Sequence, residues 1–185
     1  MIRKFLVSVI LFIVLCVVAL NTLDYFFEPP LVRYADKEHK KEFLELLSKG
    51  ADVNETGWLG ITPLTAASRD CSGDIIQIAL DHKADINHAE SDGNTALLAA
   101  ARHCGVAIVK LLLDHGADIH SVDHDGRSAL TLAAKWDNRT DVLKLLIDRG
   151  ADIDTKDHIG YSALQWARFE RDDDNIKLLK DRGAK

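Results

Sequence analysis

The side chains that could do chemistry by type are three cysteines, eight histidines and a scatter of carboxylates. Cys16, Cys71 and Cys104 show neither CxxC spacing nor a neighbouring run of histidines, which argues against a structural zinc site. His124 and His158 recur 34 residues apart, with His88 and His120 near them in sequence. If those positions sit on neighbouring stacked units, the ~8–10 Å between packed helices is too wide for two ring nitrogens each ~2 Å from one zinc, unless the side chains converge. The expectation is no metal and no other cofactor. There is no nucleophile elbow, no phosphate-cradling loop and no HExxH helix. The sequence therefore offers no catalytic residue and no small-molecule substrate, and we expect a protein that is not an enzyme. A net charge of −6 over interspersed acids and bases supplies no basic face, which excludes wholesale nucleic-acid binding.

The elements that position these side chains begin with an apolar segment. Arg3-Lys4 precede a run from Phe5 to Leu20 broken only by Ser8, and Asn21-Thr22-Leu23 carry it toward Asp24. At ~1.5 Å per residue the run spans ~24 Å, and its extension approaches the ~30 Å hydrocarbon thickness of a bilayer. A cleavable signal would want small residues at a polar boundary, whereas Val17-Val18-Ala19 lies inside the apolar core. Two readings follow: an uncleaved signal-anchor (transmembrane) segment over residues 1–27, or a secreted, periplasmic protein after signal cleavage. Leu15 before Cys16 does not fit a lipoprotein site. Arg3 and Lys4 on one flank, against Asp24 and Glu28 on the other, keep the N-terminus cytoplasmic by the positive-inside rule. The remainder then faces the periplasm of a single-pass inner-membrane protein.

That remainder repeats. Gly60, Gly93 and Gly126 recur every 33 residues and Gly160 follows after 34. Ala51-Asp52, Ala84-Asp85, Ala117-Asp118 and Ala151-Asp152 keep the same spacing, as do Leu64, Leu97, Leu130 and Leu164. A period near 33 means one supersecondary unit stacked on copies of itself. Within it, Thr62-Pro63-Leu64, Thr95-Ala96-Leu97, Ser128-Ala129-Leu130 and Ser162-Ala163-Leu164 place a capping hydroxyl before a short helix. Alanines follow, and a second, apolar helix ends at Gly50, Gly116, Gly150 or Gly183. Lys83 stands where the second unit should have that glycine.

The sequence Gly-x-Thr-Pro-Leu, then alanines, then Leu-Leu-x-x-Gly-Ala-Asp, resembles the ankyrin repeat. The resemblance covers nearly everything after the apolar segment, and its best copy runs from Gly93 to Asp118. It implies an all-α repeat solenoid: antiparallel helix pairs stacked side by side, with finger loops projecting between units. Five units are expected over 28–185, at 28–59, 60–92, 93–125, 126–159 and 160–185, the first divergent and the last a cap. The histidine usual after Thr-Pro-Leu is replaced by Thr65, Leu98, Thr131 and Gln165.

Ankyrin proteins bind other proteins along the face made by fingers and first helices, and the register says which residues would line it here. The finger tips carry Trp58-Leu59, His124 and His158; the residue after each glycine is Ile61, Asn94, Arg127 or Tyr161. First-helix ends add Arg69, Arg102-His103, Trp136 and Phe169. Trp58, Trp136, Tyr161 and Phe169 occupy places that the repeat does not need for packing, and aromatics with arginine are what interface hot spots favour. A terminal cap folding Phe169 inward is the competing expectation, while Trp166 aligns with Ala66 and Ala99 and is expected in the core.

Cys71 and Cys104 fall on the same inter-helix turn of adjacent units. Two outcomes are open. An oxidising compartment would allow a disulfide between them if the turns bend from the ~10 Å unit spacing to within the ~7 Å Cα limit; otherwise they stay thiols. The expected function is a non-catalytic protein-binding scaffold tethered to a membrane and facing the periplasm. The alternatives are a periplasmic immunity protein neutralising a toxin or secreted effector, and a structural tether supporting a membrane or redox enzyme.

Overall fold

The computed structural model describes residues 28–136 and 139–185. The signal-anchor assigned to residues 1–27 lies outside the described residues. Among the described residues no helix is long and apolar enough to cross a membrane.

Helices come in pairs: α1 (Pro30–Arg33) with α2 (Lys40–Ser48), α3 (Pro63–Arg69) with α4 (Gly73–Asp81), α5 (Ala96–His103) with α6 (Val106–Asp114), α7 (Ala129–Ala134) with α8 (Thr140–Asp148), and α9 (Ala163–Glu170) with α10 (Asp173–Asp181). First helices pack in sequence, α1 on α3, α3 on α5, α5 on α7 and α7 on α9, while the second helices form the outer layer. The result is an all-helical ankyrin stack. Capping hydroxyls start the inner helices as their positions require: Thr62, Thr95 and Ser128 side chains accept the N–H of Thr65, Leu98 and Thr131 at 3.2–3.3 Å. Thr65 also returns a bond to the backbone of Thr62, closing a capping box in place of the usual histidine. In the fifth unit Gln165 Oε1 accepts the Ser162 N–H at 2.6 Å.

Leu31, Leu64, Leu97, Leu130 and Leu164, one per unit, are at most 1% exposed and make a continuous column between the layers. Full burial of each such side chain is worth ~1.5–3 kcal/mol, gained only because a neighbouring unit covers it. Alanines at 67, 100, 133, 134 and 167 are likewise buried and let the inner helices approach closely. The divergent first unit joins this column through Leu31 although α1 has only four residues. Loops after the second helices are laced by polar bonds: Asn54 Oδ1 accepts the Asp85 N–H at 2.7 Å, Asn87 Oδ1 the Asp118 N–H at 2.8 Å, and Asp154 Oδ1 the Lys185 N–H at 3.1 Å. Lys83 does adopt the left-handed backbone that its glycine counterparts adopt, with φ 65°.

Candidate partner-binding face

The second, third and fourth fingers each turn over a buried acid one residue before the tip, Glu90, Asp123 and Asp157. Asp123 Oδ1 accepts the N–H groups of Asp125 and Arg127, both at 3.0 Å, and Asp157 Oδ1 those of Ile159 and Tyr161 at 3.2 and 2.8 Å. A carboxylate removed from water must be bonded in this way or the finger would open to hydrate it. The second oxygen ties the finger to a cation or an indole: Asp123 to Arg127 Nε at 2.7 Å, Asp157 to Trp166 Nε1 at 2.8 Å. Glu90 pairs with Arg69. The first finger has Gly57 at this position, and the Glu28 carboxylate takes the empty place, where any Cβ on residue 57 would collide with its Oε2.

Adjacent fingers are joined by a repeated rung. Ser91 N–H donates to Leu59 O, His124 N–H to Asp92 O and His158 N–H to Asp125 O, each at 2.8 Å. The imidazoles of His124 and His158 then lie against Gly93 and Gly126, where a Cβ would come within 2.9 and 2.7 Å of their Cδ2 atoms. This packing gives the two finger histidines, one unit apart, a structural role. Among the described residues no group of three or more His, Cys, Asp or Glu is placed to hold a metal ion.

On this framework Trp58, Leu59 and Trp136 are 66%, 58% and 48% exposed, large apolar surfaces with no packing role. His103, His124 and His158 are exposed; Ile61, Arg69, Arg102, Arg127 and Tyr161 are half-buried. Asn94 corrects its expectation: it is 6% exposed, with its N–H on Asp92 Oδ1, its carbonyl accepting from Glu90 N and its short side chain ending in a buried Oδ1. Two of the arginines are likewise engaged within the stack, Arg69 by Glu90, and Arg127 by Asp123 and Asp125. Arg102 lies farther from its acid, 3.9 Å from Asp123 Oδ2. Phe169 is not folded inward; it stands 65% exposed, edge-on to Trp166 at 5.8 Å, while Trp166 is 8% exposed, in the core as its alignment requires. Lys135 Nζ caps the Trp166 ring at 4.4 Å.

Cys71 and Cys104 form a disulfide with their Cα atoms 5.4 Å apart. The turns bend together because Cys71 takes a left-handed conformation, φ 56°, where α3 gives way to α4. Beside it the guanidinium of Arg139 donates to the carbonyls of Cys104 and Arg102 and caps the end of α5. His103 on the same turn has its pKa held below the usual imidazole value by partial desolvation and by Arg102, Arg69 and Arg139 around it.

Sequence reasoning missed Glu28 and Arg139, whose roles depend on chain separations of 30 and 35 residues. The buried acids were findable, since Glu90, Asp123 and Asp157 keep the 33- and 34-residue spacing.

A protein-family model described as Ankyrin repeats (3 copies) matches residues 31–123 and again 116–185. A search of curated proteins gives no match. Ankyrin domains are typically non-catalytic and imply protein partners. The capped helix pairs, laced loops and rung-linked fingers over residues 31–185 agree with the family match, and the chain belongs to the ankyrin-repeat family.

Proposed function

We propose that this protein is a non-catalytic binding scaffold, tethered to a membrane through residues 1–27, that presents its repeats on the periplasmic side to one protein partner. The observation that carries the binding half is the exposure of Trp58, Leu59 and Trp136 on the finger and first-helix face, where neither core nor turns need them. Tyr161, His103, His124 and His158 extend that surface. The Cys71–Cys104 disulfide supports the location, because such bonds persist in oxidising compartments and are rare in the cytosol. Arg3 and Lys4 before the apolar run support the same side.

Fractionation of cells expressing the full chain, followed by protease treatment of intact spheroplasts, tests the placement. A membrane-bound protein whose repeats are digested from outside is expected. A soluble form beginning near Leu20 would overturn the tether, and repeats protected until lysis would overturn the topology.

A further inference from the structure

We propose that the fourth finger is a docking edge for a finger-shaped turn of a protein partner, which donates one backbone N–H to Ile159 O and lays a flat side chain on Gly160. The site shares Tyr161 with the proposed binding face but does not depend on Trp58 or Trp136.

An interface is repeated within the chain and left open at one place. Leu59 O, Asp92 O and Asp125 O each receive an N–H from the next finger, and Ile159 O is the following member of that series. Among the described residues it accepts none. Gly93 and Gly126 are covered by the imidazoles of the next finger, whereas nothing lies within 4 Å of the Cβ direction of Gly160. In the place of a further finger there is a cavity of about 390 Å³, lined by Gly160, Tyr161, Gln165, Arg168 and Phe169. Phe169 in its lining and Ile159, the residue before Gly160, are 65% and 68% exposed, more than any other large apolar side chain described apart from Trp58.

The same series says what fits. In the two rungs nearest this edge one residue does both tasks: the N–H of His124 bonds Asp92 O while its ring covers Gly93, and His158 repeats this on Asp125 and Gly126. The occupant is therefore a tight turn with a free N–H on a residue bearing a flat ring. Arg168 is exposed in the cavity and forms no ion pair among the described residues, so an acidic residue in the turn is matched in charge. A second copy of this chain is disfavoured as occupant. The N–H its first finger would offer belongs to Trp58 and is already held by Glu28 Oε1 at 3.1 Å.

The probe is a cyclic peptide copying residues 122–128, closed across the positions of the Val122–Ser128 bridge and carrying His124 and Asp125. It is titrated into the isotope-labelled full chain in micelles and followed by amide chemical shifts. Saturable shifts at Gly160, Tyr161, Gln165 and Phe169 are expected. Methylating the probe's His124 nitrogen should weaken binding roughly tenfold by removing the donor. Phe169→Ala and Arg168→Glu, both at exposed positions, should each weaken it with the melting temperature unchanged. Absence of saturable shifts, equal binding of the methylated probe, or shifts centred on Trp58 would overturn the proposal. Concentration-dependent self-association abolished by Phe169→Ala would overturn it in favour of a second copy.

Discussion

The Glu28 carboxylate accepts the backbone N–H of Trp58 at 3.1 Å, so the residue that ends the acidic flank of the apolar segment also closes the first finger of the stack. Its other oxygen fills the space left by Gly57 and stands in for the acid that later fingers carry in sequence. Removing it leaves a finger donor unpaired. Glu28→Ala should lower stability by about 1–2 kcal/mol, with the loss concentrated in the first unit, and Glu28→Gln should recover part of it. Hydrogen exchange at Trp58 and a thermal melt read both effects; an unchanged Trp58 exchange rate would refute the latch.

The Cys71–Cys104 disulfide closes a loop spanning 33 residues of sequence separation. In the chain-entropy model such a closure contributes ~3–4 kcal/mol, so reduction, or a Cys71→Ser, Cys104→Ser double variant, should lower Tm by roughly 10 °C. Non-reducing peptide mapping should recover the pair as one crosslinked species. Two freely alkylated thiols in protein isolated from its native compartment would reject the bond.

Most of the architecture was legible because the period exceeds any single element: leucine, alanine-aspartate and glycine positions reported the same spacing independently. The exposed Trp58 and Trp136 were legible by subtraction, as bulky residues at positions without a core task. Asn94 was not, since the residues at its register position in neighbouring units are half-buried whereas its short side chain ends with Oδ1 buried. Arg69 and Arg127 read as free cations only while their acids, Glu90 and Asp123, were not known to be buried beside them. The disulfide could not be decided from spacing alone, because the unit separation exceeds its reach and the left-handed bend at Cys71 is a property of the folded turn.

Lys83 holds φ 65° at the end of α4, where the other units use glycine. A Cβ in that conformation costs ~1 kcal/mol, so Lys83→Gly should stabilise the protein by about that amount. The reverse change at a finger should be harsher. Gly126→Ala combines φ 75° with a methyl group 2.7 Å from His158 Cδ2 and should cost about 1–3 kcal/mol. Paired denaturant melts decide the matter; a destabilising Lys83→Gly would show that the lysine has a contact worth more than the strain.

Two histidines should push the pH dependence of stability in opposite directions. The pKa of His103 is depressed below its ordinary 6.5 by partial desolvation and the nearby arginines, so its contribution is intact above 6.5 and is lost as pH falls toward the depressed value. The pKa of His39 is raised by its hydrogen bond to Asp36; its contribution is present below 6.5 and is lost as pH rises through the raised value. His103→Gln should flatten the acid limb and His39→Gln the neutral one, with NMR titration of each ring locating the midpoints. A His103 midpoint at or above 6.5 would contradict the first assignment.

We expect the finger and first-helix face to bind a protein through its exposed tryptophans. This is tested most directly by affinity capture from native membranes with the full chain, alongside Trp58→Ala and Trp136→Ala variants. One specific protein partner is expected, captured at least tenfold less by one or both variants, whose melting temperatures stay within about a degree or two of the parent because both side chains are largely exposed. Equal capture by parent and variants would contradict it, as would variants that lose their fold or a specific binder that is a small molecule rather than a protein.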